Sequence, residues 1–456
     1  MLLSEREIHI PAWNGKGSVL AYLNETIYDS LSADEVPVRF VVTDSGSDGY
    51  HCELGVLGGS ESAHMPPPRS IFDFEQREVE NTGNFNAVMI VPTGIGAEIG
   101  GHAGDATPAA RLLAEACDKL ITHPNVVNAS DINELPENGL YVEGSVISRL
   151  LMGTVGLSEV RSNRVLLVID EHEDERISEL MISSASAARA TLGLDCPGVV
   201  KIDSPIYMRA EYSSSGRAVG RVEGLERLVE ALCDRRPQFD AVAIVSGIDI
   251  SEGLHKEYFQ SGGEMINPWG GVEAMLTHSI SMLFDVPSAH APMAEDMEEA
   301  NALFGRVDPR MSAEAISSCC LHCVLKGLHR SPRIITDSML FTHPAVLTAA
   351  DISCLVIPDG CVGLPTIAAL EQGIPVIAVR ENENRMKNDL QRLPFAPGRL
   401  FMAENYLEAV GIMTSIKAGV ALSSVRRPLQ ETKVTSERGG SRTKESAKVD
   451  GTATVT

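Results

Sequence analysis

The sequence lacks long apolar runs and is poor in basic residues. No stretch reaches the roughly 20 consecutive apolar residues that a membrane-spanning helix needs. The N-terminal run MLLSEREIHIPAW carries charges directly after its leucines, so it predicts neither a secretion signal nor a transit peptide. The chain has 38 Lys and Arg against 62 Asp and Glu, a formal net charge of -24. Nucleic acids and anionic membranes attract basic surfaces, so neither is expected as the main partner.

Cysteine is scattered rather than arranged in a framework. The nine cysteines are an odd number spread over 456 residues, which is typical of reduced thiols in a cytosol-like compartment. We therefore expect a cytoplasmic protein. The hydrophobic fraction of 44% is that of a soluble globular enzyme, and the length predicts two or three domains.

Several catalytic motifs are missing as well. The chain has no G-x-S-x-G, no G-x-x-x-x-G-K-[ST] and no H-E-x-x-H, which disfavours serine hydrolases, Walker-type NTPases and zincin proteases. The five glycines after Val91 do not match G-x-G-x-x-G, which disfavours NAD-dependent dehydrogenases. His278, His290 and Asp296 have no recognised metal spacing, and the run Cys319–Cys323 is interpreted as a buried helical face. We predict no metal site, and the sequence identifies no cofactor.

The most distinctive segment is a glycine-rich loop between a strand and a helix. The strand Ala87–Val91 is followed by five glycines and by a helix that begins at Thr107 or Pro108, with Asp105 as its N-cap. Free amides at a helix start bind anions, and glycines allow a ligand to approach the backbone. The predicted ligand-binding residues of this loop are Thr93, Gly94, Gly96, Gly100, Gly101, Gly104 and Thr107.

Two side chains in the loop are candidates for catalysis. His102 could act as a general acid or base near neutral pH, and Asp105 could orient it or hold a metal. The alternative is that Asp105 only caps the helix and His102 only forms hydrogen bonds within the loop.

A short pattern recurs along the chain. T-H-P-x-V-x-x-A-x-D-I is found at 122–132 and again at 342–352, and each copy is followed by a turn of an acidic residue and a glycine. We interpret the repeat as a duplicated α/β half, with the two turns on facing lobes. The alternative is that T-H-P is only a helix stop.

Strand and helix patterns alternate along the chain with short turns. This order predicts an α/β fold with two Rossmann-like lobes and mostly parallel sheets. The predicted units are an N-terminal α/β segment and linker (1–80), a first lobe with the glycine-rich loop (81–310), a second lobe (311–424) and a disordered tail (425–456). The stretch 262–296 interrupts the alternation and is predicted to be a functional loop.

Polar residues at predicted strand ends are further candidates, because open α/β sheets bind ligands there. Glu143 before Gly144 is assigned a proton-transfer role. Asp359, Gly360 and Glu381 are expected to face the ligand from the second lobe. A helix cap or a solvated turn is the alternative at each position.

A second polar cluster lies in the stretch 262–296, where Trp269 could stack on a ring or belong to the core. Its members are Asn267, Trp269, Glu273, His278 and His290.

Two segments of the chain resemble a family of cyanobacteria, other bacteria and plants that is known only as a domain of unknown function. They are VPTGIGAEIGGHAGDATPAARLLA and THPNVVNASDINELPEN. The resemblance covers most of the chain up to about Ser424 and implies no activity.

Two local resemblances point to chemistry. Glu98–Ala110 is similar to the E-M-G-I-G-N-T-T loop of nicotinate-nucleotide:dimethylbenzimidazole phosphoribosyltransferases, and Asp359-Gly360 is similar to their D-G-F turn, although no G-E-G-T-G segment is found. Asp351–Val379 resembles the nucleotide-sugar half of two-lobed glycosyltransferases, with Thr366 at the position of their ribose-binding Glu. Both resemblances imply group transfer.

The sequence thus predicts a cytosolic enzyme that binds a phosphorylated or anionic small molecule, with a nucleotide among the candidates, between two lobes. Group transfer is the expected reaction class. The alternative is a non-catalytic metabolite sensor that closes on the same ligand. The sequence leaves open whether the chain forms a homo-oligomer.

Overall fold

The structure is a computed structural model, and it describes residues 1–59, 69–127, 130–251, 253–295, 299, 305–315, 320–432 and 434. Within these ranges the chain is a mixed α/β protein. The strands are β1 (Leu2–Pro11), β2 (Val36–Ser45), β3 (Gly49–Gly58), β4 (Asn86–Met89), β5 (Lys119–Thr122), β6 (Gly139–Tyr141), β7 (Gly156–Ser158), β8 (Val165–Ile169), β9 (Val199–Lys201), β10 (Tyr207–Tyr212), β11 (Ala218–Glu223), β12 (Ala241–Asp249), β13 (Ser288–Met293), β14 (Arg333–Ile335), β15 (Val346–Leu347), β16 (Ile352–Pro358), β17 (Val362–Gly363), β18 (Val376–Val379) and β19 (Leu400–Ala403).

The helices cover both large sheets and contribute their apolar faces to the core. They are α1 (Val19–Tyr28), α2 (Thr107–Glu115), α3 (Gly144–Leu151), α4 (Glu175–Leu192), α5 (Leu225–Arg235), α6 (Leu254–Gln260), α7 (Gly270–Phe284), α8 (Ser312–Ala315), α9 (Cys320–His329), α10 (Leu364–Gln372), α11 (Tyr406–Lys417) and α12 (Leu422–Val425).

One sheet is parallel throughout and has the order β19-β18-β16-β4-β5-β6. Its central strands are apolar runs buried on both faces, as Val88 and Val356 show with 0% exposure each, and this is the pattern expected of a helix-covered parallel sheet. Strands β4–β6 come from the predicted first lobe and β16–β19 from the predicted second. The predicted boundary between residues 310 and 311 therefore does not separate two sheets.

The larger sheet is mixed. Its order is β17-β2-β3-β1-β11-β10-β12-β8-β9, with β13 paired to β12. The strands β8, β9, β12 and β13 run parallel, whereas β1, β2, β3, β11 and β17 pair antiparallel. The N-terminal strands thus extend the same sheet as the middle of the chain. An α/β fold with a parallel sheet is confirmed, but two Rossmann-like lobes are not.

The two T-H-P copies lie in different local structures. Thr122 ends β5 and His123 is buried at the sheet edge, whereas Thr342 and His343 are exposed in a turn after a 3-10 helix. The second copy continues into β15, which pairs with β7 outside both large sheets. These differences do not support a duplicated half.

The predicted functional loop at 262–296 is largely regular structure. Most of its residues form α7 and β13. The apolar residues from Val272 to Phe284 recur at helical spacing, and their side chains are buried in the core. The expectation of an irregular loop was wrong. Of the predicted disordered tail, residues 433 and 435–456 lie outside the described residues.

Candidate functional site

A cavity of about 630 Å³ lies between the two large sheets. Its walls come from the carboxyl-terminal ends of β5 and β6, from β13 and from helices α4, α6, α7, α8 and α9. The volume is in the range of small-molecule sites. No Lys or Arg is among the described residues that line it. The polar and aromatic lining residues include Thr93, His123, Asn125, Glu143, His255, Phe259, Asn267, Trp269, Glu273, His278, His290, Glu299 and Glu314.

Glu143 and His278 lie in hydrogen-bonding contact at the cavity wall. Glu143 follows β6 and caps α3, and its Oε1 lies 3.0 Å from Nε2 of His278 on α7. Burial raises the pKa of Glu143, but the pair with His278 and the hydrogen bonds from Ser145 outweigh it, so the pKa lies below its usual value. Nδ1 of His278 has no hydrogen-bond partner within the described part of the chain. This nitrogen is buried, so it is an unpaired polar atom within the wall of the cavity.

His123 stands beside this pair as a neutral imidazole. Its Nε2 accepts a hydrogen bond of 3.1 Å from the amide of Val91, which fixes the ring at the edge of the parallel sheet. Burial lowers the pKa of His123 to about 4, despite the nearby Glu143 carboxylate. It stays uncharged at neutral pH and contributes shape and polarity rather than charge.

Three hydrogen-bonded side chains have the order of a nucleophile–base–acid triad: Ser246, His290 and Glu273. Nδ1 of His290 lies 2.9 Å from Glu273 Oε1, and Nε2 lies 2.9 Å from Ser246 Oγ. Ser246 is fully buried and does not line the cavity. A nucleophile must reach its substrate, so we read this row as a buried polar network that fixes His290 in the wall.

Glu314 on α8 faces the cavity from the opposite side. Its carboxylate accepts hydrogen bonds from Tyr258 Oη at 3.0 Å, Asn267 Nδ2 at 3.2 Å and the Ala103 amide at 3.3 Å. Burial nevertheless raises the pKa of Glu314 to about 7. A carboxyl group with this pKa holds or releases a proton close to neutral pH.

His102 lies behind Glu314, outside the lining of the cavity. Its Nδ1 is 2.8 Å from Tyr258 Oη, which in turn contacts Glu314, so the three side chains form a row that leads to the cavity. Burial, followed by the nearby Arg310 charge, lowers the pKa of His102. The sequence-based role of His102 as the group that touches a ligand is not supported, since Tyr258 and Glu314 intervene.

Trp269 belongs partly to the core and partly to the cavity. Its ring packs edge to face against Tyr258 and His255, at centroid distances of 5.1 and 5.5 Å. Asn267 Oδ1 accepts a hydrogen bond of 3.0 Å from the Trp269 amide and so fixes the start of α7. Both of the readings given for Trp269 therefore apply, because one face packs inward while the residue lines the cavity.

The glycine-rich loop packs closely against its neighbours, and several of its amides already have acceptors. Asp105 Oδ1 accepts the Gly100 amide at 2.9 Å, and the His102 and Asp105 amides also bond to this carboxylate. Burial raises the pKa of Asp105 to about 7. Asp105 does not cap α2, whose N-cap is Ala106 with no side-chain hydrogen bond. The Asp105 carboxyl group thus occupies the position at these amides where an acidic group of a ligand was expected.

The glycines of the loop serve close packing of the backbone. A Cβ at Gly94 would lie 2.4 Å from the Ala218 carbonyl oxygen, and one at Gly101 would lie 2.0 Å from that of Ala97. Gly96 and Gly100, both at positive φ, meet side chains of the core in the same way, and Gly104 also has positive φ. Thr107 is buried at the first position of α2. The anion-binding role predicted for Gly94–Asp105 stays a prediction, although Asp105 and close backbone packing already occupy part of this loop.

Asp359, Gly360 and Glu381 follow strands of the parallel sheet but do not line the described cavity. Asp359 Oδ1 accepts the Gly360 amide at 2.9 Å, and Glu381 is exposed. The neighbouring Asn382 holds the glycine-rich loop instead, since its side chain accepts from the Ile99 amide and donates to the Ile99 carbonyl, each at 2.8 Å. The cap or turn reading of these positions fits the geometry.

The structure therefore brings together one part of the predicted set. The predicted residues that line the cavity are Thr93, Glu143, Asn267, Trp269, Glu273, His278 and His290. The carboxyl group of Glu314 and the phenol of Tyr258 were missed, because Ser-Ala-Glu-Ala and Lys-Glu-Tyr-Phe are ordinary helical sequences. The T-H-P motif did contain the signal for His123, which was read as a helix stop or a repeat.

Helices in the described ranges are each too short or too polar to cross a membrane. No solved structure matches the chain. A protein of Synechococcus sp. (strain ATCC 27144 / PCC 6301 / SAUG 1402/1), named an uncharacterized lipoprotein, is 32% identical over 339 residues, which are 74% of this chain and 92% of that protein. The cytoplasmic location stays a prediction. A family model described as a protein of unknown function, DUF3326, matches residues 86–426, and the chain belongs to this family.

Proposed function

We propose that the chain is an enzyme that binds a small polar molecule in the cavity between the two sheets and catalyses proton transfer in it. His278, held by Glu143, acts as the general base, and Glu314 acts as the general acid. Group transfer stays within this proposal, because deprotonation of an acceptor hydroxyl is the step that such a reaction requires of a base.

One observation carries the proposal: two glutamates of the same cavity have pKa values moved in opposite directions. The pKa of Glu143 lies below its usual value, whereas that of Glu314 is raised to about 7. A pair of this kind divides the acid and base roles at neutral pH, since one group stays ionised and the other keeps a proton.

The hydrogen bond to Glu143 gives His278 its orientation. With Nε2–H donating to Glu143 Oε1 at 3.0 Å, Nδ1 is left without a partner and keeps its lone pair. Because Nδ1 is buried in the wall, the ring has to move slightly toward the cavity before Nδ1 accepts a proton from a ligand. The Glu143 carboxylate then stabilises the imidazolium that forms, as a buried carboxylate does beside a catalytic histidine. Tyr258 and His102 lie behind Glu314 and provide a route by which its proton can be replaced.

The lining favours a ligand that is uncharged or cationic. Four glutamates and four histidines line the cavity without any lining Lys or Arg in the described ranges, so a phosphate group would find carboxylates instead of cations. Trp269 and Phe259 add aromatic surface, which attracts ammonium groups and sugar or base rings. The expectation of an anionic ligand depended on the amides of the glycine-rich loop, and the Asp105 carboxyl group already accepts a hydrogen bond from the Gly100 amide there.

A thermal-shift screen with amines, amino acids, sugars and nucleosides, alongside their phosphorylated counterparts, tests the ligand class. A compound at about 100 times its dissociation constant adds about 2.7 kcal/mol to the stability of the fold, which a melting curve resolves. We expect uncharged or cationic compounds to stabilise the protein and the matched phosphates to do so less.

Turnover of each stabilising compound is then followed by proton NMR with the wild type, His278→Gln, Glu314→Gln and the exposed control His343→Gln. Loss of turnover in the first two variants with retained ligand stabilisation supports the enzyme. If the wild type binds compounds without converting any, the proposal fails and the metabolite sensor takes its place.

A further inference from the structure

A second group of metal-ligating side chains lies on the surface, away from the cavity. His9 on β1 and His51 on β3 are direct cross-strand partners, and their rings lie 5.0 Å apart between centroids. Asp48 precedes β3, and its Oδ2 lies 4.0 Å from His9 Nε2. Ligand atoms of all three residues lie within 4.8 Å of one another.

The backbone fixes this arrangement. Directly opposite residues on antiparallel strands hold their side chains side by side, so the pairing of His9 with His51 follows from strand register. Two glycines leave the necessary space: a Cβ at Gly49 would lie 3.0 Å from His9 Nε2, and one at Gly46 would lie 2.8 Å from Asp48 Oδ1. A side chain at either position would push one ligand away from the other two.

We propose that His9, His51 and Asp48 form a binding site for a divalent first-row transition metal ion, with water completing the coordination. Two imidazoles and one carboxylate are ligands that suit Zn²⁺, Cu²⁺ and Ni²⁺, and they suit Mg²⁺ or Ca²⁺ poorly because those ions select oxygen. All three side chains are exposed, so an ion can enter without rearrangement of the core.

The site opens into a surface cavity of about 410 Å³ that shares no residue with the candidate catalytic cavity. Glu7 and Asp44 line it and add negative charge, whereas Arg385 and Lys387, which also line it, oppose the binding of a cation. Three ligands with these neighbours predict a moderate affinity rather than that of a closed structural site. A bound ion would join β1 to the turn before β3 and stabilise the N-terminal strands.

Isothermal titration with ZnCl₂ on the full chain tests the proposal, with His9→Gln, His51→Gln and Asp48→Asn as variants. The controls are His343→Gln, which removes an exposed histidine elsewhere, and His278→Gln, which removes a histidine of the cavity. We expect one class of Zn²⁺ site that each ligand variant weakens about tenfold or more and that neither control changes.

The absorption of bound Co²⁺ gives a second readout, because its d–d bands report nitrogen and oxygen ligation and should be lost in His51→Gln. The three substituted side chains are exposed, and circular dichroism verifies that each variant is folded. Equal Zn²⁺ binding by the wild type and all three ligand variants, or no binding by the wild type, would overturn the proposal. Weakening only in His278→Gln would assign the metal to the cavity instead and would overturn it as well.

Discussion

The replacement Glu314→Gln isolates the energetic effect of a buried carboxyl group next to the cavity. Burial raises the pKa of Glu314 from 4.5 to about 7, and each pKa unit corresponds to about 1.4 kcal/mol. The ionised form therefore costs the folded protein about 3 kcal/mol relative to the protonated form. Glutamine has nearly the same shape but carries no charge at any pH.

The sign follows from proton binding. Between pH 4.5 and about 7 the folded protein keeps the Glu314 proton while the unfolded chain has released it. The contribution of this group to stability is thus complete below pH 4.5, falls as the pH rises, and is lost above about pH 7. Asp105 and Asp170, whose pKa values burial raises to about 7 and about 6, change stability in the same direction but equally in both proteins.

We expect the free energy of unfolding of Glu314→Gln minus that of the wild type to increase by about 3 kcal/mol between pH 4.5 and pH 8. Loss of one acceptor for the Ala103 amide or Tyr258 Oη adds an offset that does not depend on pH in this range. Urea titrations at several pH values measure the difference, with the exposed Glu179→Gln as the matched control. Parallel pH curves for Glu314→Gln and the wild type would refute the reasoning.

Four further substitutions test close packing and buried polar contacts, each by the urea midpoint at pH 7. Asp105→Ala removes the acceptor of the Gly100 and His102 amides and should destabilise the fold by about 2 kcal/mol; an unchanged midpoint would mean that these amides bond elsewhere. Gly101→Ala places a Cβ 2.0 Å from the Ala97 oxygen and should destabilise the fold by about 1–3 kcal/mol. In Gly411→Ala, in α11, the new Cβ meets nothing within 4 Å, so this variant should stabilise the fold by about 0.5–1 kcal/mol. Equal effects of the two substitutions on stability would contradict the close packing at Gly101. Arg217→Met removes the guanidinium that pairs with both Glu5 and Glu53 and leaves Arg39, 3.8 Å from Glu5, as a more distant cation. The loss should cost about 3–5 kcal/mol, and an unchanged midpoint would show that Arg217 does not stabilise these carboxylates.

Local patterns in the sequence were sufficient for many of the elements. The strand predicted at Ala87–Val91 is found at Asn86–Met89, within two residues of each end, because apolar runs and turn residues act over short distances. The start of α2 at Thr107 followed from Thr-Pro in the same way. The stretch 262–296 was predicted wrongly as a loop because its Gly and Pro residues favour turns, and the helical spacing of the apolar residues between them was given too little weight.

The sheet arrangement could not be read from such patterns. Strand β4 pairs with β16, more than 250 residues later, and this pairing merges the two predicted lobes into one sheet. Local propensity is the same whichever strand lies alongside, so the partner is chosen by packing of the whole chain. The N-terminal strands likewise joined the larger sheet although nothing in their sequence names β11 as a neighbour.

The sequence alone determined that the chain is an α/β protein, where its main glycine loop and helices lie, and that Glu143 and the residues from Asn267 to His290 are candidates for a site. Only the tertiary structure decided that Asp105 accepts hydrogen bonds from the amides of the loop. It also decided that Glu314, Glu143 and His278 line one cavity. The physical reason is that hydrogen-bond satisfaction and pKa depend on burial and on neighbours in space. Those neighbours are set by folding, and they come from parts of the chain that are far apart in sequence.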